Sequence, residues 1–380
     1  MIERIKLDGL VAARFFAALM VVLFHLVAMP NPDLQIPPSL SFIRNHLAIG
    51  VPLFFAISAF SLYVGYFSAL SRGEHLRKYF IRRFFRIAPL FYFMTALLAM
   101  YLGFLPPLDL LLTSLTFTFN LVPQHAAGFV SASWSIGIEM VFYAILPVLV
   151  FAVSSVRTAI AFFALAGFLG VLWQQAFVGI EGMANFAAYF IIPHLVYFAA
   201  GILAYFLWLP IKGQKAIGLV ILAVGVIAFV ATIYHRGLLW GLLGPGLLNV
   251  VQSIPLMLCI IGIAIAPVRI LVNPFTKAMG ETSFSLYLLH PMIINDLIWR
   301  GGYKWVYSMV ADPWSAFAIC AAMTLVPLFI LSLITYRLIE APGSRLGNWV
   351  ISRGGRHAGN PSRIEMSTES LATITLQPKI

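Results

Sequence analysis

The chain has 380 residues, 61% of them hydrophobic and 10% charged, with a net charge of +11 at pH 7. A soluble domain carries about 25% charged residues. A water-facing globule is therefore excluded, and lipid, where charge is costly, is the surface this composition suits. The positive balance then reads as the bias of a membrane protein's inner loops rather than as a nucleic-acid surface.

Apolar runs of about 20 residues, the length of a bilayer-crossing helix, recur along the chain, and they are continuous rather than alternating. The fold class expected is all-α: a polytopic membrane protein of about ten transmembrane helices. In chain order, the first predicted span is 8–29. Arg4 and Lys6 ahead of an apolar run suggest a signal peptide. Arg14 interrupts the run and no small-residue cleavage site follows, so a retained helix is expected. Arg14 and His25 return to within roughly 20° of one helix face and lie about 16 Å apart along the axis. That face would serve one site at two depths. The spacing equally suits an Arg14 that reaches back to inner headgroups and a His25 that caps the outer end.

The second predicted span, 46–68, contains Ser58 in Phe54-Phe55-Ala56-Ile57-Ser58. It lacks the nucleophile-elbow pattern and is expected to be a small packing residue. Just before the third span, 87–105, comes Arg82-Arg83-Phe84-Phe85-Arg86-Ile87-Ala88-Pro89. Arg83 and Arg86 share a face at i, i+3. Their forked guanidinium groups suit phosphate, either on a ligand or on anionic lipid. Pro106, Pro107, Asp109 and Asn120 break the stretch 106–133, which is expected to lie at the interface or to re-enter the membrane. The fourth span, 134–153, opens on Trp134-Ser135-Ile136-Gly137-Ile138-Glu139, with Tyr143 four residues after Glu139. Glu139 is open to a bond from Tyr143, to pairing with Arg14 or His25, or to positioning a substrate hydroxyl.

Spans follow at 158–178, 185–208, 216–234 and 244–266. The ninth, 279–299, carries Tyr287 and His290 on one face at i, i+3, with Pro291 removing a backbone hydrogen bond beside His290. A kink among polar groups suits a cavity as well as it suits helix packing. The tenth is 315–337. His46, His125, His194 and His235 are expected in loops or at interfaces without a role. Cys259 and Cys320 are expected to be free thiols, too few for a disulfide framework. No metal site is expected, because no His pair has helical ligand spacing. No Gly-rich phosphate loop is present, which argues against a nucleotide-driven pump. Residues 1–347 are expected to form one transmembrane domain, and 348–380 a cytosolic, disordered tail rich in Ser, Thr, Gly and Pro. With both termini in the cytosol, every one of the 24 Lys and Arg residues falls inside except Arg44, Arg236, Arg300, Lys304 and the embedded Arg14.

Taken together, these blocks resemble the acyltransferase-3 family of integral-membrane O-acyltransferases, in order from Leu7 to about Pro342. Leu7-Asp8-Gly9-Leu10 with Arg14 and His25 is similar to the family's opening helix and its Arg-x10-His pair. Gly50 to Phe60 resembles F-F-x-x-S-G-F, and Arg82 to Pro89 resembles R-R-x-x-R-I-x-P. Trp134 to Glu139 resembles W-S-x-x-x-E, Ser283 to His290 resembles S-Y-S-L-Y-L-x-H, and Glu340-Ala341-Pro342 resembles E-x-P. Ala59 stands in place of Gly and Phe284 in place of Tyr, both changes of packing. The extracytoplasmic esterase-like domain of some members is absent from this sequence.

The resemblance implies acyl transfer from cytosolic acyl-CoA, commonly acetyl-CoA, to a hydroxyl of a cell-surface glycan or similar acceptor, in a bacterial inner membrane. Acyl-CoA would be the donor substrate and no permanently bound cofactor is expected. The expected partners are the lipid bilayer, acyl-CoA, the hydroxyl-bearing acceptor and a separate acceptor-handling protein, with no nucleic acid. His25 would act as general base or carry the acyl group. Arg14 would orient the site or stabilise developing negative charge. Arg83 and Arg86 would hold coenzyme A phosphates. Glu139, Trp134, Tyr287 and His290 would line the cavity. The alternative is a proton-coupled secondary transporter, for which buried Arg, His and Glu would serve as well; a membrane scaffold without chemistry is a third class.

Overall fold

The computed structural model describes residues 7–31 and 34–356, and no strand occurs among them. Backbone groups facing lipid must be satisfied within their own segment, so each apolar run closes on itself as a helix. The order is α1 (Asp8–Ala28), α2 (Ser41–His46), α3 (Gly50–Leu70), α4 (Leu76–Leu102), α5 (Leu108–Leu115), α6 (Trp134–Ala152), α7 (Val156–Phe177) and α8 (Ala184–Tyr189). Then come α9 (Leu195–Trp208), α10 (Lys215–Tyr234), α11 (Arg236–Ile265), α12 (Pro274–Glu281), α13 (Ser283–Trp299), α14 (Gly302–Met309), α15 (Pro313–Thr335) and α16 (Ala341–Arg356).

Among the described residues, nine helical stretches are long and apolar enough to cross a membrane. The expected span that is not among them is the ninth, α13, whose 17 residues rise only about 25 Å. Both of its ends are nevertheless tied to long neighbouring helices. Ser285 near its start bonds Thr335 at the end of α15 (2.8 Å). Asp296 near its other end accepts from Tyr101 at the end of α4 (3.4 Å).

Three boundaries differ from expectation. The arginine cluster lies inside α4 rather than ahead of it, because α4 begins at Leu76 after a left-handed His75. Basic side chains at the membrane edge do not end a helix; they let it extend into the headgroup layer. Helical structure continues to Arg356, past the boundary placed at 347, and Arg82 Nε meets Asn348 Oδ1 at 3.4 Å. Residues 357–380, and with them most of the expected tail, lie outside the described residues, as do Arg4 and Lys6. α11 is broken at Gly244, whose φ of 68° few other residues adopt, and the span expected at 244–266 is its second limb.

The stretch 106–133 folds back over the start of α6. Buried Asn120 anchors it, its Nδ2 lying 3.1 Å from the Ala126 carbonyl, 3.0 Å from that of Trp134 and 2.9 Å from that of Tyr189. α9 packs behind both α3 and α6. Its Phe198 stacks on Phe55 at 4.7 Å and on Phe142 at 4.0 Å. A Cβ at Gly201 would lie 2.2 Å from the Ala56 carbonyl oxygen, so only glycine permits this approach.

Candidate active site

α1, α3, α4, α6 and α13 enclose a cavity of about 250 Å³ lined by Arg14, Ser58, Ser61, Tyr66, Arg83, Arg86, Ser135, Glu139, Tyr143 and Tyr287, with Val51, Phe54, Phe55, Leu62 and Phe284 as apolar wall. α3 contributes a stripe at helical spacing: Val51, Phe54, Phe55, Ser58, Ser61, Leu62 and Tyr66. Ser58 Oγ donates to Glu139 Oε1 at 2.6 Å, and the Tyr143 hydroxyl donates to the same oxygen. Arg14 donates to Ser61 Oγ at 3.1 Å. Arg83 donates to the Tyr66 hydroxyl at 3.2 Å and its guanidinium sits 5.2 Å from the Tyr66 ring centre and 5.7 Å from that of Tyr143. Arg83 Nε is buried without a hydrogen-bond partner. Three guanidinium groups thus share this cavity with one carboxyl group. Buried charge of one sign is costly unless something of the opposite sign completes it.

His25 and His290 do not line the cavity; they meet each other instead. His290 Nε2 lies 3.0 Å from His25 Nδ1, with ring centres 4.9 Å apart. His25 Nδ1 is also 3.1 Å from the Val21 carbonyl, and His290 Nδ1 is 2.6 Å from that of Tyr287. His290 is fully buried, whereas His25 is partly exposed. Tyr287 joins the two places. It lines the cavity, and its ring lies 5.6 Å from that of His290 and 5.9 Å from that of Phe54. Its hydroxyl accepts from Ser135 at 2.7 Å and donates to the Ala132 carbonyl at 2.9 Å.

The sequence matches the family described as "Acyltransferase domain" over residues 7–333, most of the chain. The chain belongs to the acyltransferase-3 family. It is also 26% identical to Acyltransferase MdmB of Streptomyces mycarofaciens, over 90% of this chain and 92% of that protein. No solved structure matches. The chain is therefore an integral membrane enzyme that transfers acyl groups.

Within this acyltransferase-3 domain, the cavity brings together Arg14, Arg83, Arg86, Glu139 and Tyr287. Trp134 stands outside it, stacked on Tyr189 at 4.8 Å and beside His194 at 5.2 Å. His290 was expected to line the cavity, but the packing of α13 against α1 turns it to His25. Ser58, expected only to pack, bonds Glu139 in the cavity wall. Its i, i+3 relation to Ser61, continued by Tyr66, was the available signal. Glu340 of the closing E-x-P block is buried and accepts from Ser285, where the helix widens into a π-turn at Tyr336–Glu340.

Proposed function

We propose that the protein moves an acetyl group from cytosolic acetyl-CoA to a hydroxyl of a cell-surface glycan or similar acceptor, with the cavity as donor site and His25 as general base. One observation carries the donor assignment: Arg14, Arg83 and Arg86 line a single cavity against one carboxyl group. Coenzyme A is the polyanionic partner of acyl transfer, and guanidinium forks match its phosphates. At about 250 Å³ the cavity is smaller than the roughly 300–1,000 Å³ of a drug-sized site. It suits the acyl-bearing arm, with the nucleotide toward the cytosolic end of the arginine cluster.

Arg14 and His25 are separated by about 16 Å along α1. Arg14 is accordingly assigned to the donor rather than to charge developing beside His25. In the reaction, the acceptor hydroxyl oxygen attacks the thioester carbonyl carbon while His25 takes the hydroxyl proton. The carbon–sulfur bond then breaks, and the coenzyme A sulfur leaves with the proton returned by the imidazolium. The family likeness is what supports the bacterial inner membrane and the glycan acceptor in this reading.

The test is turnover of radiolabelled acetyl-CoA by membranes with normalised protein. Arg83→Ala with Arg86→Ala should raise the KM for acetyl-CoA at least about 10-fold, the effect of losing one charge-assisted hydrogen bond. The paired Lys substitutions should restore only part of it, because an ammonium cannot form the fork. Unchanged donor KM would leave lipid anchoring as the role of these arginines. A proton-coupled transporter would leave the label on coenzyme A.

A further inference from the structure

We propose that His290 is a positioning residue that holds His25 in the tautomer with its proton on Nδ1, leaving Nε2 as the basic nitrogen. The inference rests on His25 being the base. It follows from counting donors. A carbonyl oxygen only accepts, so the His290 nitrogen 2.6 Å from the Tyr287 carbonyl, Nδ1, carries a proton. Neutral His290 then has a bare Nε2, and that nitrogen lies 3.0 Å from His25 Nδ1. His25 Nδ1 is also 3.1 Å from the Val21 carbonyl. Both neighbours are acceptors, so the proton of neutral His25 sits on Nδ1. Were His290 protonated on Nε2, two N–H groups would point at each other across that contact.

The chemical consequence is direction. The proton-accepting lone pair of His25, on Nε2, lies across the ring from the nitrogen that bonds His290. When His25 takes a proton from the acceptor hydroxyl, its Nδ1–H bond to His290 becomes charge-assisted and strengthens. A base oriented by a third group is the general arrangement of activated hydroxyl chemistry. Val21 is the weaker of the two acceptors, because its carbonyl already receives the helix bond of the His25 amide. His290 is the partner with a whole lone pair to give. Full burial at 0% exposure keeps water from replacing it.

The experiment uses full-length protein in lipid, with isotope-labelled histidine, and reads ring-nitrogen shifts by solid-state NMR. His25→Gln identifies the His25 signals by difference. Wild type should show His25 protonated on Nδ1 and bare on Nε2. His290→Leu should move His25 toward the Nε2-protonated form and lower kcat about 10- to 100-fold, with the acetyl-CoA KM unchanged within about 2-fold. His290→Gln, whose amide oxygen can occupy the acceptor position, should keep the tautomer and lie within about 10-fold of wild-type kcat. A wild-type His25 protonated on Nε2 overturns the proposal, whether or not any variant folds. So does a His290→Leu protein of unchanged kcat. Retained activity in His25→Gln is a separate failure: it removes the base itself, while the wild-type spectrum still reports the tautomer.

Discussion

Glu139 is the residue on which the cavity wall depends. It receives two hydroxyls, from Ser58 on α3 and Tyr143 on its own helix. Glu139→Leu leaves both without their acceptor, at about 1–3 kcal/mol for each buried group that finds no other. Purified Glu139→Leu should therefore unfold at lower temperature than wild type, and Ser58→Ala, which deletes only one donor, should lower it less. Equal melting of all three proteins would mean that the network contributes nothing to stability. Sequence spacing made Tyr143 a candidate partner of Glu139, since i, i+4 contacts belong to one helix. It could not supply Ser58, 81 residues away, or the pairing of His25 with His290 across 265 residues. Those contacts are set by which helices pack together, and no local period encodes that.

Among the helices, α9 is the brace. Phe198 presses on Phe55 of α3 and Phe142 of α6, and Gly201 lets α9 touch the α3 backbone behind the Ser58 turn. Gly201→Val should push α3 away from α9, cost about 1–3 kcal/mol as overpacking, and impair acyl transfer in proportion. Gly65→Ala on the same α3 meets nothing within 4 Å and is the control. Wild-type melting and activity in Gly201→Val would remove α9 from the support of the site. Helices were the most legible feature, because a run of apolar residues long enough for the bilayer has no alternative to helix. Their ends were less so. α4 starts well before its apolar run because Arg77, Lys78 and Arg82 are compatible with a helix at the headgroups.

At the scale of the molecule, α13 decides the topology. Its bonds to α15 at one end and to α4 at the other support a tenth passage, and ten passages would return the chain to the side on which α1 begins. The positive-inside rule predicts a cytosolic location for that side, where Arg83, Arg86 and α16 would lie. A reporter fused after Lys379 should therefore be active only in the cytosol, whereas activity outside would reverse the donor side. The central claim is narrower: that His25 performs the proton transfer of acyl transfer from acetyl-CoA. The most direct measurement is label transfer from radiolabelled acetyl-CoA in membranes with equal amounts of wild type and His25→Gln. Glutamine keeps hydrogen bonding but cannot take up a proton near neutral pH. The expected result is normal insertion with a loss of about 100-fold or more, the lower range for removing a general base. Near-normal transfer by His25→Gln would contradict the account and move the base to another residue.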